Sequence, residues 1–289
     1  MTTPVQDAAH TSDSQERIVW METSDGVPLE GVLITPGNAS TPSWIVVWIH
    51  GSASHFFEPA FVRIGRALAG RGISFLAGNT RGHDGMSVLW RGDEPMAAGA
   101  AFERFDQSDH DLAAWIDFSR HHHAGPLALA GHSLGACKVI NFASRSDSDI
   151  DALVVASPPP AWPSNPERLE LARQMVAAGE AERLLPQLPG SAPWNLVSAQ
   201  TVVTREECLM PSLYPEAGPS RLSQVRCPIL VLIGGEEDVP LGWLRDRQQD
   251  APSAAGVTPM TVEGAGHFYE GREAHAAAEI ARWLEGLTG

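Results

Sequence analysis

Ser133 stands in Gly131-His132-Ser133-Leu134-Gly135, a G-x-S-x-G spacing. A serine hydroxyl is a weak nucleophile until a base takes its proton. Glycines on either side suit a sharp turn in which any Cβ would strike the neighbouring backbone. Apolar Leu127–Ala130 runs into the motif, and a helical pattern starting at Leu134 runs out of it. That strand–turn–helix order holds a serine on a strained turn, with a helix N-terminus beneath it that favours developing negative charge.

The base must come from elsewhere, and the chain has eleven histidines. His267 lies in Glu263-Gly264-Ala265-Gly266-His267-Phe268, between the last strand pattern and the last helix pattern, where the glycines free a loop to present a side chain. His121-His122-His123 ends a helix and reads as a solvated run that complements the helix dipole. His275 falls on the surface of the final helix, and His132 reads as packed. An imidazole base needs a carboxylate to fix its tautomer. Gly234-Gly235-Glu236-Glu237-Asp238 follows a buried strand pattern and offers three carboxylates. Asp238 is the favoured partner, with Glu236 and Glu237 as rivals in the same loop. The chain order is then Ser133, Asp238, His267.

A tetrahedral intermediate needs N–H donors. The backbone amide of Leu134 supplies one. His50-Gly51-Ser52, directly after Trp44–Ile49, supplies the second through the amide of Ser52. His55, Phe56, Trp162 and Trp194 are candidate substrate contacts, since apolar and aromatic groups beside such a site suit an acyl or aryl group. Arg81 and Arg91 are candidates for an acidic substrate. No His/Asp cluster has the ligand spacing of a metal hydrolase, and neither metal nor cofactor is expected.

The elements needed to position these residues are legible. Arg17–Thr23 and Leu29–Thr35 flank Ser24-Asp25-Gly26 and predict a hairpin. Trp44–Ile49, the longest apolar run at six residues, predicts a strand buried on both faces. Helix patterns cover Glu58–Gly72, Asp106–Ser119, Leu134–Ala143 and Arg272–Leu287. Strand patterns cover Ile73–Ala77, Leu127–Ala130, Ala152–Ala156, Pro228–Ile233 and Thr258–Val262. This alternation predicts an α/β fold with a mostly parallel central sheet flanked by helices. Ser157–Arg226 breaks the alternation with eleven prolines and two helical stretches, the first opening on Asn165 and Pro166. The expected organisation is a flexible tail (1–16), a first core part (17–157), a lid or cap insert (158–226) and a second core part (227–289).

The chain of 289 residues carries 20 Lys+Arg and 35 Asp+Glu, a formal charge of −15. That excess, with its basic residues scattered, speaks against nucleic acid or an anionic membrane as partner. The polar start lacks the apolar stretch of a signal peptide and no run approaches the ~20 residues of a membrane span, so a cytoplasmic location is expected. Three scattered cysteines make neither a disulfide framework nor a cysteine-rich zinc site.

The elbow, acidic loop, histidine loop and His50-Gly51, in this order, resemble the α/β-hydrolase superfamily over nearly the whole chain. Asn79-Thr80-Arg81-Gly82-His83-Asp84-Gly85, Ala101-Phe102-Glu103-Arg104-Phe105-Asp106, the elbow GHSLGACKV and the closing GAGHFYEGRE resemble a subfamily that includes fungal siderophore (fusarinine) esterases. The resemblance implies a compact serine esterase with a small lid, no cofactor and a small-molecule ester or lactone as substrate. Ser52-Ala53-Ser54-His55 departs from the glycine-rich loop common after His50-Gly51. Lactonase, thioesterase, amidase or acyltransferase chemistry uses the same residues, and a non-catalytic ligand-binding module is the rival of a different class.

Overall fold

The computed structural model describes residues 14–37, 43–145, 148–159, 165–187, 196–213, 221–239 and 249–288. An antiparallel hairpin, β1 (Ser14–Glu22) and β2 (Pro28–Pro36), opens the fold. Then come β3 (Ile45–Ile49), α1 (Pro59–Ala69), β4 (Ser74–Gly78) and a small separate hairpin, β5 (Ser87–Arg91) with β6 (Glu94–Ala98). The middle of the chain forms α2 (Ser108–His122), β7 (Leu127–His132), α3 (Leu134–Ala143) and β8 (Ala152–Ala156). After α4 (Pro166–Ala177) and α5 (Ala199–Leu213), the chain closes with β9 (Ile229–Gly234), β10 (Val257–Val262) and α6 (Glu273–Leu287). The sheet has eight strands in the order β1-β2-β4-β3-β7-β8-β9-β10, parallel from β4 onward.

Alternation along β3 explains the layering. Ile45, Val47 and Ile49 pack with Leu112 and Trp115 of α2 and Val139 and Ile140 of α3. Val46 and Trp48 pack with Phe61 and Ile64 of α1 and Ala277 and Ile280 of α6. Successive side chains of a strand face opposite sides. A run buried at every position therefore needs helices on both faces, and β3 is buried throughout. This is the mostly parallel, helix-flanked sheet that the sequence predicts.

Two expectations change. Ser14–Glu16, assigned to the tail, pair with Pro36, Thr35 and Ile34 and extend β1; residues 1–13 lie outside the described residues. The β5–β6 hairpin was not anticipated; it is short and mostly exposed, so no buried alternation marks it. Within the insert, α4 begins as expected, with the Asn165 side chain accepting a hydrogen bond from Arg168 N at 3.0 Å and Pro166 at the start of the helix. Ala172, Leu185, Ala199 and Val203 form a small core of their own. α5 is fastened to the main body, because Ala101 O accepts from Ser198 N at 2.7 Å and from Thr201 Oγ1 at 3.0 Å. Among the described residues no helix is long and apolar enough to cross a membrane.

Candidate active site

In a parallel sheet, side chains from separate segments meet where adjacent strands end. Here β3, β7, β8, β9 and β10 lie side by side. Each is followed at its C-terminal end by a residue of interest: His50, Ser133, Ser157, Glu237 and His267.

Ser133 has φ +54°, a conformation that L residues rarely adopt. The surroundings impose it. A Cβ at Gly131 would collide with the Gly135 carbonyl, and one at Gly135 would lie 2.5 Å from the carbonyl oxygens of Ile49 and His50. The elbow glycines thus let β7, α3 and the loop after β3 close on one another. Gly51 rests directly on the elbow; a Cβ there would come within 2.9 Å of Ser133 Cβ. The amide of Leu134 starts α3, where the first N–H groups have no partner inside the helix. Ser52 follows Gly51 in the loop after β3, and Leu134 follows Ser133 at the start of α3. That loop is braced from behind: Phe56 N donates to Asn79 Oδ1 at 2.9 Å, and Asp84 N donates to Ser54 O at 3.0 Å.

His267 lies in the loop between β10 and α6, as predicted. Its carbonyl accepts a hydrogen bond from His132 Nε2 at 2.7 Å, and the two rings are 4.7 Å apart. This brings the loop against the residue preceding Ser133. Burial depresses the His132 pKa to about 3, so this imidazole is neutral and serves as a packed strut, in line with the sequence reading. No hydrogen bond joins Ser133 Oγ to His267 among the described residues.

The carboxylate partner differs from the expected one. His267 Nδ1 donates to Glu237 Oε2 at 2.8 Å. Asp238, the favoured candidate, is exposed. The turn after β9 explains the correction. Glu237 N donates to Gly234 O at 3.1 Å, closing a tight turn that swings the Glu237 side chain back over the strand end. There Glu237 Oε1 accepts from Gly234 N at 2.8 Å and from Ser157 Oγ at 2.5 Å. Burial pushes the Glu237 carboxyl up, but hydrogen bonds from His267, Ser157 and Gly234 N outweigh it and hold it below the usual value.

Ser157 and Tyr269 complete this arrangement, and sequence reasoning missed both. Both are fully buried with positive φ, +41° and +61°. Their hydroxyls lie 2.8 Å apart, and Tyr269 OH donates to Leu232 O at 3.1 Å. Nothing in the sequence marks Ser157. Tyr269, two residues beyond His267, is one of only two tyrosines in the chain.

Among the proposed substrate contacts, Phe56 is packed into the core beside α1 and is only 9 % exposed, because its amide is pinned by Asn79. The neighbouring Phe57 is the exposed ring, and it stacks on His55 at 3.6 Å between centroids. Trp162 and Trp194 lie outside the described residues. Arg81 is buried and bonded to both Asp111 and Asp25, so its fork is occupied in holding the loop after β4. Arg91 pairs with Asp25 at 3.2 Å. The Arg81 guanidinium is thus committed within the protein, whereas Arg91 is a half-exposed surface side chain. No group of three or more His, Cys, Asp or Glu able to hold a metal occurs among the described residues.

Sheet order, flanking helices and elbow turn together define an α/β-hydrolase fold. The model of the hydrolase family described as serine aminopeptidase, S33, matches residues 40–206, more than half of the chain, and the chain belongs to that family. No curated protein matches the sequence. Among solved structures the chain is similar to Est1E from Butyrivibrio proteoclasticus with bound ferulic acid (18 % identity, 94 % of this chain and 100 % of that one, TM-score 0.66). It is similar to a soluble variant of monoglyceride lipase from Saccharomyces cerevisiae in complex with a substrate analogue (14 %, 98 % and 99 %, 0.68). A dienelactone hydrolase from Anabaena variabilis is similar as well (16 %, 95 % and 98 %, 0.58). At these identities the likeness is one of fold.

Proposed function

We propose that the protein hydrolyses carboxylic esters of small molecules through an acyl-enzyme, with Ser133 as nucleophile, His267 as base and Glu237 as the carboxylate that orients it. The observation that carries this reading is the strained Ser133 elbow, with Gly51 packed on it and a His267–Glu237 pair held at neighbouring strand ends. His267 Nδ1–H donates to Glu237, which leaves the Nε2 lone pair free to take a proton. As Ser133 Oγ attacks the carbonyl carbon, that proton moves to Nε2 and the imidazolium is stabilised by the Glu237 charge. The amides of Ser52 and Leu134 receive the oxyanion. His267 returns the proton to the leaving alcohol, and a water then repeats the sequence on the acyl-enzyme.

The neighbours named for ester and lactone hydrolysis support this reaction class. In this reading the described helices of the insert, α4 and α5, belong to the cap that the sequence predicts. The likeness to fungal siderophore esterases rests on sequence motifs, one of which contains Arg81 and Asn79 in bracing roles, so it does not extend the proposal to a siderophore substrate.

Ser133→Ala tests the reading. Hydrolysis of p-nitrophenyl butyrate should fall by about four orders of magnitude or more with the fold intact. Labelling by a fluorophosphonate should disappear with it. Wild-type turnover in the variant rejects the nucleophile. A panel of ester, lactone, thioester and aminoacyl anilide separates ester hydrolysis from the reactions that share this machinery, peptide-bond cleavage included. A folded wild-type protein that takes no fluorophosphonate label would point to a binding module instead.

A further inference from the structure

Lys138 is the single lysine of the chain. It sits on α3, five residues beyond Ser133, and its side chain is fully buried. A buried ammonium is costly unless paired and hydrogen-bonded, and the mechanism above makes no use of it. Its ammonium is ion-paired with Glu103, which is buried as well, and it donates to Thr80 Oγ1 at 3.2 Å. Arg205 of α5 approaches the other Glu103 oxygen at 3.8 Å.

From Thr80 the contacts continue toward the elbow. Thr80 N donates to His50 Nε2 at 3.0 Å, and Thr80 Oγ1 lies 3.3 Å from the same nitrogen. An Nε2 that accepts a backbone N–H carries no proton, so the proton of the neutral imidazole is on Nδ1. Nδ1 then donates to Gly51 O at 2.8 Å. Burial, and after it the nearby Lys138 charge, hold the His50 pKa well below its ordinary value, in agreement with this tautomer. A trans peptide is planar, so its N–H points opposite to its C=O. Fixing the Gly51 carbonyl therefore fixes the direction of the Ser52 N–H. Hydrogen bonds in series polarise one another, by roughly 10–30 % per bond.

We propose that Lys138 acts through Thr80 and His50 to orient and polarise the Gly51–Ser52 peptide, making these three side chains positioning residues for the oxyanion donor of Ser52. The proposal rests on the ester-hydrolase reading of the same site, but its first readout does not need activity.

Thr80→Val removes the hydroxyl link and keeps the volume and the backbone N–H; Thr80→Ser restores the hydroxyl. In full-length protein carrying carbonyl-13C glycine and 15N serine, only the pairs Gly51–Ser52 and Gly190–Ser191 give a coupled amide signal. The Ser52 amide proton shift should move in Thr80→Val and return in Thr80→Ser, with Ser191 as internal reference. With p-nitrophenyl butyrate, kcat should fall about tenfold in Thr80→Val at unchanged KM, a fraction of the 10²–10³ that loss of a whole donor costs. Thr80→Ser should recover it. A Ser52 amide that does not move overturns the proposal. So does a moved amide with unchanged kcat. Should Thr80→Val not fold, Thr80→Ala carries both readouts. If the wild-type protein hydrolyses no ester, the function reading has failed, and the amide shift still decides whether the relay exists.

Discussion

Glu237→Gln is the most informative single substitution, because the structure dictates which way the new amide must face. Glu237 Oε1 accepts from Gly234 N–H and Ser157 O–H, and Oε2 accepts from His267 Nδ1. In the glutamine variant the carbonyl oxygen must take the Oε1 place, since an NH2 there would oppose two donors. The NH2 then faces His267 Nδ1. That nitrogen is forced to accept, the ring proton moves to Nε2, and the base is lost. The electrostatic part can be worked separately. Imidazolium and carboxylate centres about 4 Å apart interact by about 4 kcal/mol at an effective dielectric of about 20. His267 is 41 % exposed, so solvent screening reduces this to about 2 kcal/mol. That is about a factor of 30, and the tautomer change raises the total loss to about 10³–10⁴ in kcat. Asp238→Asn should change kcat less than twofold. The assay is steady-state hydrolysis of p-nitrophenyl butyrate at pH 7, with circular dichroism to confirm the fold. A Glu237→Gln enzyme within tenfold of wild type, or a larger loss in Asp238→Asn, refutes the assignment of the carboxylate.

Gly135→Ala places a Cβ 2.5 Å from the carbonyls of Ile49 and His50, and neither backbone can yield without separating the elbow from the β3 loop. Its thermal midpoint should drop by the equivalent of about 3 kcal/mol. Gly286→Ala, in α6 with open space around it, should be neutral or stabilising by up to about 1 kcal/mol; equal effects at both positions would contradict the packing argument. Stability should also fall with acid. His132 titrates near 6.5 when unfolded and at about 3 when folded, so between those values the unfolded chain binds a proton that the native state does not. From pH 7 to pH 5 this one residue removes about 2 kcal/mol of unfolding free energy. Urea titrations at the two pH values should show that difference shrinking by a similar amount in His132→Gln, and an unchanged difference would mean that His132 is not the buried neutral group described.

The sheet, its flanking helices and the approximate bounds of most elements were legible in the sequence because local signals report them. Continuous apolar runs mark strands covered on both faces, as at Ile45–Ile49, and the 3.6-residue spacing of Leu112, Trp115 and Ile116 marks the buried face of α2. Ser133 and His267 were legible for a related reason: glycines beside each, at strand ends, signal loops that present a side chain. The substrate contacts were less so. Phe56 and Phe57 are chemically alike, and only the tertiary structure buries Phe56, whose N–H donates to Asn79 Oδ1, and leaves Phe57 exposed.

Composition, periodicity and the glycine positions thus determined the α/β architecture and singled out the candidate serine and histidine, because these are properties of short stretches. The choice of Glu237 over Asp238 is different. It depends on a turn closing on Gly234 and on hydroxyls from two other segments, Ser157 directly and Tyr269 through it, meeting above β9. The same holds for Lys138, whose partners Glu103 and Thr80 come from two separate stretches, with Arg205 reaching Glu103 from a third. Carboxylate orientation and buried-charge pairing depend on distances between remote parts of the chain, and those distances exist only once the sheet has brought the strand ends together.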